Sequence, residues 1–228
     1  MIGIIGAMAL ETDAIIAEMK NKEESLISGI RFVKGIWQEK EVVVATCGVG
    51  KVFAALCAQT MILRYQPEMI INTGVAGTLS KKLHILDVAI SEGVVQHDMD
   101  TSPLGDPPGL LSGINQVVLS ADQKIALSME RAAESLSIHT ERGIIASGDQ
   151  FIAEDAQRDR IRSLFGAICC EMEGAAIGQV CYVNQVPFSV LRAISDGDEG
   201  DATMDYPTFA KKAAARSVEI LKRALPNL

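Results

Sequence analysis

In the stretch C-C-E-M-E-G-A-A-I-G, Cys169 to Gly178, two carboxylates stand either side of one methionine. The residues around them are apolar, and a charged side chain at the edge of a core needs water or a partner. Glu171 and Glu173 are therefore candidates for work that a plain strand-to-helix turn does not require. A second acidic cluster, D-G-D-E-G-D from Asp196 to Asp201, follows the apolar run F-S-V-L-R-A-I. Its sixth position is Asp201 rather than Gly and its twelfth is Pro207 rather than Glu, so it is not an EF-hand calcium loop. On composition it reads as a solvated acidic turn. Delivered to a strand end by that apolar run, it reads equally as a functional loop, in which Asp198, Glu199 and Asp201, where close in space, are like charges that would raise the pKa of Asp196. A third carboxylate, Glu11, falls in the first turn of a helix after Gly6, where the helix dipole favours the ionised form. An ordinary first-turn Glu fits there too.

Three glycine-rich loops accompany these acids. G-I-I-G-A-M lacks the G-x-G-x-x-G spacing of a dinucleotide site, G-V-G-K-V lacks the P-loop spacing, and N-T-G-V-A-G-T has no basic residue. Each alone reads as a tight strand-to-helix turn. Together they put exposed N–H groups at several strand ends on one rim, which suits a preformed small-molecule pocket better than a phosphate clamp.

The elements that must position these residues alternate along the chain. Ile2 to Ile5 reads as a buried first strand ending in a turn at Gly6, followed by a helix over roughly Leu10 to Lys20. I-R-F-V-K-G-I-W and E-V-V-V-A-T read as a hairpin about the polar Gln38–Lys40 turn. From about Lys51 the spacing of Phe53, Leu56, Cys57 and Met61 predicts a helix. P-E-M-I-I-N-T-G reads as a strand ending at Gly74, and D-V-A-I-S-E-G-V-V-Q-H as another, before a long Pro/Gly loop, T-S-P-L-G-D-P-P-G-L-L-S-G. A helix follows from Asp122, its candidate N-cap, with Ile125, Met129, Ala132 and Leu136 on one face. The remainder reads as strand R-G-I-I-A-S-G-D, a helix near Glu154 to Leu164, strand G-A-I-C-C, a helix from about Met172, strand P-F-S-V-L-R-A-I-S, and a last helix from near Asp205 with Pro207 in its first turn. Strands alternating with helices around one core predict an α/β layered domain with a mostly parallel or mixed sheet, whose ligands sit beyond the C-terminal strand ends.

Composition narrows the classes. The 228 residues are 48% apolar with only 4% aromatic, so aliphatic side chains and alanine do most of the packing. The net charge of −8 argues against nucleic acid as a main partner. Five cysteines with no C-x-x-C pair and scarce histidine read as buried free thiols in a reducing cytoplasm, without a zinc ligand set. No apolar run approaches membrane length, and no basic leader precedes the first strand. No linker, repeat or low-complexity segment divides the chain, so residues 1–228 read as a single domain.

The motifs then combine. I-G-I-I-G-A-M with Glu11, G-V-G-K-V, I-I-N-T-G-V-A-G, S-G-D-Q-F-I, E-M-E and R-A-I-S-D occur in this order over nearly the whole chain. In this the sequence resembles the 5′-methylthioadenosine/S-adenosylhomocysteine nucleosidases of the nucleoside phosphorylase superfamily. The resemblance implies a three-layer α/β/α domain around a mixed, twisted, partly barrel-like sheet, paired as a cytoplasmic homodimer. It implies hydrolysis of the N-glycosidic bond of an adenosine thioether, in methionine salvage and recycling of S-adenosylmethionine by-products, with no metal or organic cofactor. By position, Asp196 matches the family's general acid and Glu11 its general base for water, with Arg192 orienting the site. Glu173 matches the carboxylate on the ribose hydroxyls, and Met172 packs on the sugar, which leaves Glu171 a structural or helix-capping role. Phe151 matches the residue stacked on adenine, Ile152 the one offering backbone to the base edge, and Ala76 and Gly77 the backbone beside base and ribose. Met8, Val49, Tyr206 and Phe209 would line the ribose and thioalkyl end, and Thr101 and Leu104 would reach the partner subunit's 5′ pocket.

The chain departs from the family at Val75, where Ser is common, and in the loop D-M-D-T-S-P-L-G-D-P-P-G, which lacks aromatics found elsewhere. Rival readings are a phosphate-dependent nucleoside phosphorylase of the same fold and a nucleosidase for aminodeoxyfutalosine or 5′-deoxyadenosine. A non-catalytic nucleoside-binding protein is the rival from another class.

Overall fold

The computed structural model describes residues 1–196 and 202–228, with the backbone alone for 202–206. In chain order the elements are β1 (Ile2–Gly6), α1 (Ala9–Glu18), β2 (Lys20–Ile27), β3 (Ile30–Trp37), β4 (Lys40–Thr46), α2 (Lys51–Tyr65), β5 (Met69–Thr78) and β6 (Val88–Gln96). There follow β7 (Leu119–Ser120), α3 (Gln123–Ser135), β8 (Thr140–Ser147), α4 (Asp155–Phe165), β9 (Ala167–Glu171), α5 (Gly174–Asn184), β10 (Phe188–Asp196) and α6 (Ala202–Ala224).

The strands form one mixed sheet in the order β10-β6-β8-β9-β5-β1-β4-β3-β2, and β10 also pairs with β5. That extra pairing closes β10, β6, β8, β9 and β5 into a ring, the partly barrel-like half of the sheet, while β1 to β4 extend from it as an open wing. β1 lies between β4 and β5, parallel to both. Covered on both faces, it is apolar without alternation, as such strands are.

Alternate side chains sort the core into two layers. Ile5, Val43, Ala45 and Ile70 point to one face and pack on Cys57, Met61 and Ile177 of α2 and α5. Ile4, Val42, Val44 and Ile71 point to the other and pack on Ile15, Ile125 and Leu221 of α1, α3 and α6. Helices on both faces give three layers. A smaller cluster sets Ile161 and Phe165 of α4 against Ala146, Ile152 and Cys170.

Most elements fall where the sequence places them. Asp122 caps α3, its carboxylate accepting from the Lys124 and Ile125 amides at 2.9 and 3.0 Å. All five cysteines are buried free thiols. Four boundaries differ. β2 has no counterpart in the expected elements, because K-N-K-E-E-S-L-I is an exposed edge strand with no buried face to impose alternation. β5 runs past Gly74 to Thr78, since β10 and β9 pair with its extension. α5 starts at Gly174, as Met172 and Glu173 form the turn before it. α6 starts at Ala202, so Pro207 is inside it rather than in its first turn. Among the described residues no helix is long and apolar enough to cross a membrane.

Candidate active site

Six chain segments meet at one cavity of about 170 Å³, open to solvent. They follow β1, β4, β8 and β9, or lie in the C-terminal parts of β5 and β10, and they bring in Glu11, Val49, Val75, Phe151, Glu173 and Asp196 with their neighbours. This is where ligands sit in open α/β sheets.

Glu11 enters from the first turn of α1 and is only 3% exposed. Its carboxylate folds back to accept the Ala7 and Met8 amides at 2.7 and 2.9 Å. Its other oxygen takes the Val75 amide at 3.3 Å. A side chain at Gly74 would leave no room, because its Cβ would lie 2.7 Å from Glu11 Oε1. Helix-dipole reasoning predicts a stabilised carboxylate, yet burial outweighs the Arg192 charge and the three amides, and the pKa of Glu11 is raised. A buried carboxylate made easier to protonate is suited to take a proton from water. The contact at Val75 is through its backbone, so the absence of a serine hydroxyl leaves it intact.

Asp196 ends β10. A register shift against β5 between Ile194 and Asp196 sets it opposite Gly77, whose missing Cβ makes space for it. A Cβ there would lie 2.7 Å from Asp196 Oδ2. The Ser195 hydroxyl donates to Asp196 Oδ1 at 2.8 Å, and Arg158 of α4 stands 3.8 Å from Oδ2. Burial raises the pKa of Asp196 against both neighbours. Burial is the first cause, and Asp198, Glu199 and Asp201, the like charges that the sequence puts forward, lie outside the described residues.

Glu171 and Glu173 divide a single turn between them. Glu171 accepts the Glu173 and Gly174 amides, the Ser147 hydroxyl and the Arg192 guanidinium. It is thus the helix cap that the sequence left open as one alternative. Glu173 accepts the Gly50 amide at 2.8 Å and lies 3.9 Å from Arg192. Burial, then the like charge of Glu171, push the Glu173 carboxyl up to about 7. Arg192 is 1% exposed and donates to Asn72 Oδ1 at 2.5 Å. Burial works against its charge, and Glu171, Glu173 and Glu11 outweigh that, raising its pKa.

Met8, Val49, Ala76, Gly77, Phe151, Ile152, Met172 and Glu173 line the cavity with the two candidate catalytic acids, as the sequence predicts. Phe151, 58% exposed, stands among the lining residues. Four expectations need correction or stay open. Arg192 does not line the cavity but lies behind it, held by carboxylates, so it supports rather than binds. Phe209 is half-buried on α6 and is not part of the lining. The Tyr206 side chain lies outside the described residues. Thr101 and Leu104 sit in the long loop, with Leu104 84% exposed and away from this cavity.

Ala7, Gln150, Cys170 and Ser195 also line the cavity without having been singled out. Their only sequence signal is adjacency to residues that were. The Cys170 thiol is pushed up to about 12 by burial and the nearby Asp196, so it is a neutral wall. Among the described residues no group of His, Cys, Asp or Glu clusters as a metal site.

Residues 1–226 match the model of the phosphorylase superfamily. A 5′-methylthioadenosine/S-adenosylhomocysteine nucleosidase of Staphylococcus aureus is 35% identical over 229 residues, covering 100% of each chain. The Neisseria meningitidis nucleosidase of the same name, solved with methylthio-immucillin-A, superposes with a TM-score of 0.94 at 31% identity, covering 100% of this chain and 99% of that one. A futalosine hydrolase of Helicobacter pylori superposes equally, TM-score 0.94 at 35% identity, covering 100% and 97%.

Proposed function

This chain belongs to the 5′-methylthioadenosine/S-adenosylhomocysteine nucleosidases of the phosphorylase superfamily, and from that premise we propose that it hydrolyses the N-glycosidic bond of those two nucleosides. The products are adenine and the 5-thio-substituted ribose. Water attacks C1′ as the C1′–N9 bond breaks, and the bonding electrons leave with adenine. Asp196 delivers a proton to adenine N7, and Glu11 takes one from the water. Glu173 accepts hydrogen bonds from the ribose hydroxyls and offsets positive charge developing on the sugar. Phe151 stacks on the base, Ile152 offers its backbone to the base edge, and Met8, Met172 and Val49 pack around the sugar and its 5′ end.

One observation carries the choice of water over phosphate. Four carboxylic side chains, Glu11, Glu171, Glu173 and Asp196, line the cavity, and no lining residue among those described is basic. A phosphate beside C1′ would meet their negative charge with no cation lining the cavity to offset it. The relative that is a futalosine hydrolase supports a second reading that shares this site and differs only at the 5′ end.

The residues 1–228 act as one domain, and a homodimer completes the assembly. The apolar side chains of Val52, Phe53 and Leu56 on α2 and Val183 on α5 are exposed, which fits a face that a second copy covers, with Thr101 and Leu104 reaching the partner's 5′ pocket. Five buried free thiols fit a reducing cytoplasm. The test is incubation with methylthioadenosine in phosphate-free buffer. Adenine release is expected. Release only with phosphate, or none from either of the two nucleosides, would overturn the proposal.

A further inference from the structure

Two carboxylates compete for one buried guanidinium, and they do not share it evenly. Arg192 is gripped at one end. Its Nη2 donates to Asn72 and to Glu171 and reaches Glu173 only at 3.9 Å. Its Nη1 donates to the Leu191 carbonyl at 3.2 Å, and its Nε is buried with no hydrogen-bond partner among the described residues. Losing the Glu171 contact would therefore remove the main restraint on where this cation sits.

The acceptor count separates the two acids further. A carboxylate offers about four lone-pair sites. Those of Glu171 are taken by the protein: the Ser147 hydroxyl on Oε1, the Glu173 amide at 3.0 Å and Arg192 on Oε2, and the Gly174 amide at 3.0 and 2.8 Å across both. Among the described residues the Glu173 carboxylate accepts one hydrogen bond, from the Gly50 amide to Oε1, and its Oε2 has only the distant guanidinium. Glu173 thus keeps acceptor capacity at the cavity, while Glu171, only 8% exposed, has none to spare. Ser147 fastens the arrangement, its hydroxyl also accepting the Ala175 amide at 2.7 Å.

We propose that Glu171 is a positioning residue for the reaction: by saturating itself on Arg192 and the first turn of α5, it aims Glu173 and reserves it for the sugar. This inference rests on the nucleosidase reading of the site. It gives the two acids of the E-M-E motif different work, and it predicts a pH signature that a merely structural role lacks.

The groups facing Glu173 are Glu171 from β9, Arg192 from β10, Glu11 from α1, the Gly50 amide at the start of α2, and the Cys47 thiol beyond β4. In Glu171→Gln the like charge is gone and Arg192 is free to turn to Glu173, so Glu173 ionises at lower pH. Asp196 is set by burial, Ser195 and Arg158, and does not move.

The experiment is the pH profile of kcat/KM for adenine release from methylthioadenosine by the full chain, for wild type, Glu171→Gln and Glu171→Asp. For Glu171→Gln, kcat should fall at least about tenfold, since misplacement by about 1 Å can cost on the order of a hundredfold. Its acid limb should move down by about one pH unit with the alkaline limb unmoved. Glu171→Asp keeps the charge and retracts the contact, so kcat should fall with both limbs in place. It keeps the test open if the glutamine variant does not fold. Wild-type kcat in either variant, or lost activity in Glu171→Gln with an unmoved acid limb, would overturn the positioning role. Absence of turnover in wild type would instead overturn the underlying reading.

Discussion

The Gly50 amide and the Glu173 carboxylate, 123 residues apart in the chain, are joined by a hydrogen bond of 2.8 Å. It ties the start of α2, the helix whose outer face is apolar and exposed, to the carboxylate assigned to the sugar. Gly50 sits at φ 103°, a conformation that side chains resist, and a Cβ there would lie 3.1 Å from Asp149 Oδ1. Gly50→Ala should therefore cost about 1–3 kcal/mol of strain and shift the loop. A thermal melt should fall by several degrees, and kcat/KM for methylthioadenosine should drop about tenfold, because roughly 1.4 kcal/mol of lost transition-state binding is a factor of ten. Unchanged kinetics would mean that the link does not place Glu173.

Asp196→Asn removes the proton donor while keeping its shape. General acid catalysis contributes about 10²–10⁴-fold, so turnover should fall by at least about a hundredfold. Calorimetric titration with methylthioadenosine should still detect binding. A variant that keeps its rate would remove Asp196 from the mechanism.

Glu173 also makes the fold sensitive to pH. Its folded pKa of about 7 lies above the ordinary glutamate value of 4.5. The stabilisation from its uptake of a proton is thus fully present below about 4.5 and is lost as pH rises through about 7. The difference corresponds to a penalty on the order of 3 kcal/mol at alkaline pH relative to acid. Glu173→Gln, neutral throughout, should melt higher than wild type at about pH 8 and lose that advantage towards about pH 5, while activity falls. A melt at about pH 8 no higher than wild type would contradict the burial argument.

Gly74 and Gly77 leave space for the two carboxyl groups proposed to be catalytic, Glu11 and Asp196. A Cβ at Gly74 would stand 2.7 Å from Glu11 Oε1 and 3.2 Å from Arg192 Nη1, and one at Gly77 would stand 2.7 Å from Asp196 Oδ2. Gly74→Ala and Gly77→Ala should each lower kcat by about a hundredfold through displacement of these groups. Circular dichroism should show the fold retained. Near-normal kcat in either would mean that the acid concerned has freedom that the packing argues against.

The layered architecture was legible because buried strands such as Ile2 to Ile5 and helices such as α3 carry their periodicity openly. β2 was not, because an exposed charged edge strand has no buried face. The acids at 171, 173 and 196 stand out by residue type beside apolar runs, whereas Glu11 reads as an ordinary first-turn glutamate until the order of the motifs brings in the family resemblance. The division of labour between Glu171 and Glu173 could not be found in this way. That Glu171 is saturated by the protein while Glu173 is not depends on Ser147 and Arg192, which lie 24 and 21 residues away in the chain. The cause of the raised Asp196 pKa was equally hidden, because burial is a property of the folded sheet and not of the acidic run that follows it.

The central claim is that water, not phosphate, receives the sugar. The measurement that bears on it most directly is product analysis with methylthioadenosine in phosphate buffer made with water enriched in the heavy oxygen isotope. Hydrolysis predicts free methylthioribose carrying one heavy oxygen at C1, with adenine released at a rate independent of phosphate. Methylthioribose 1-phosphate as the product, with a rate that rises with phosphate, would contradict the account and remove Glu11 from the role of base.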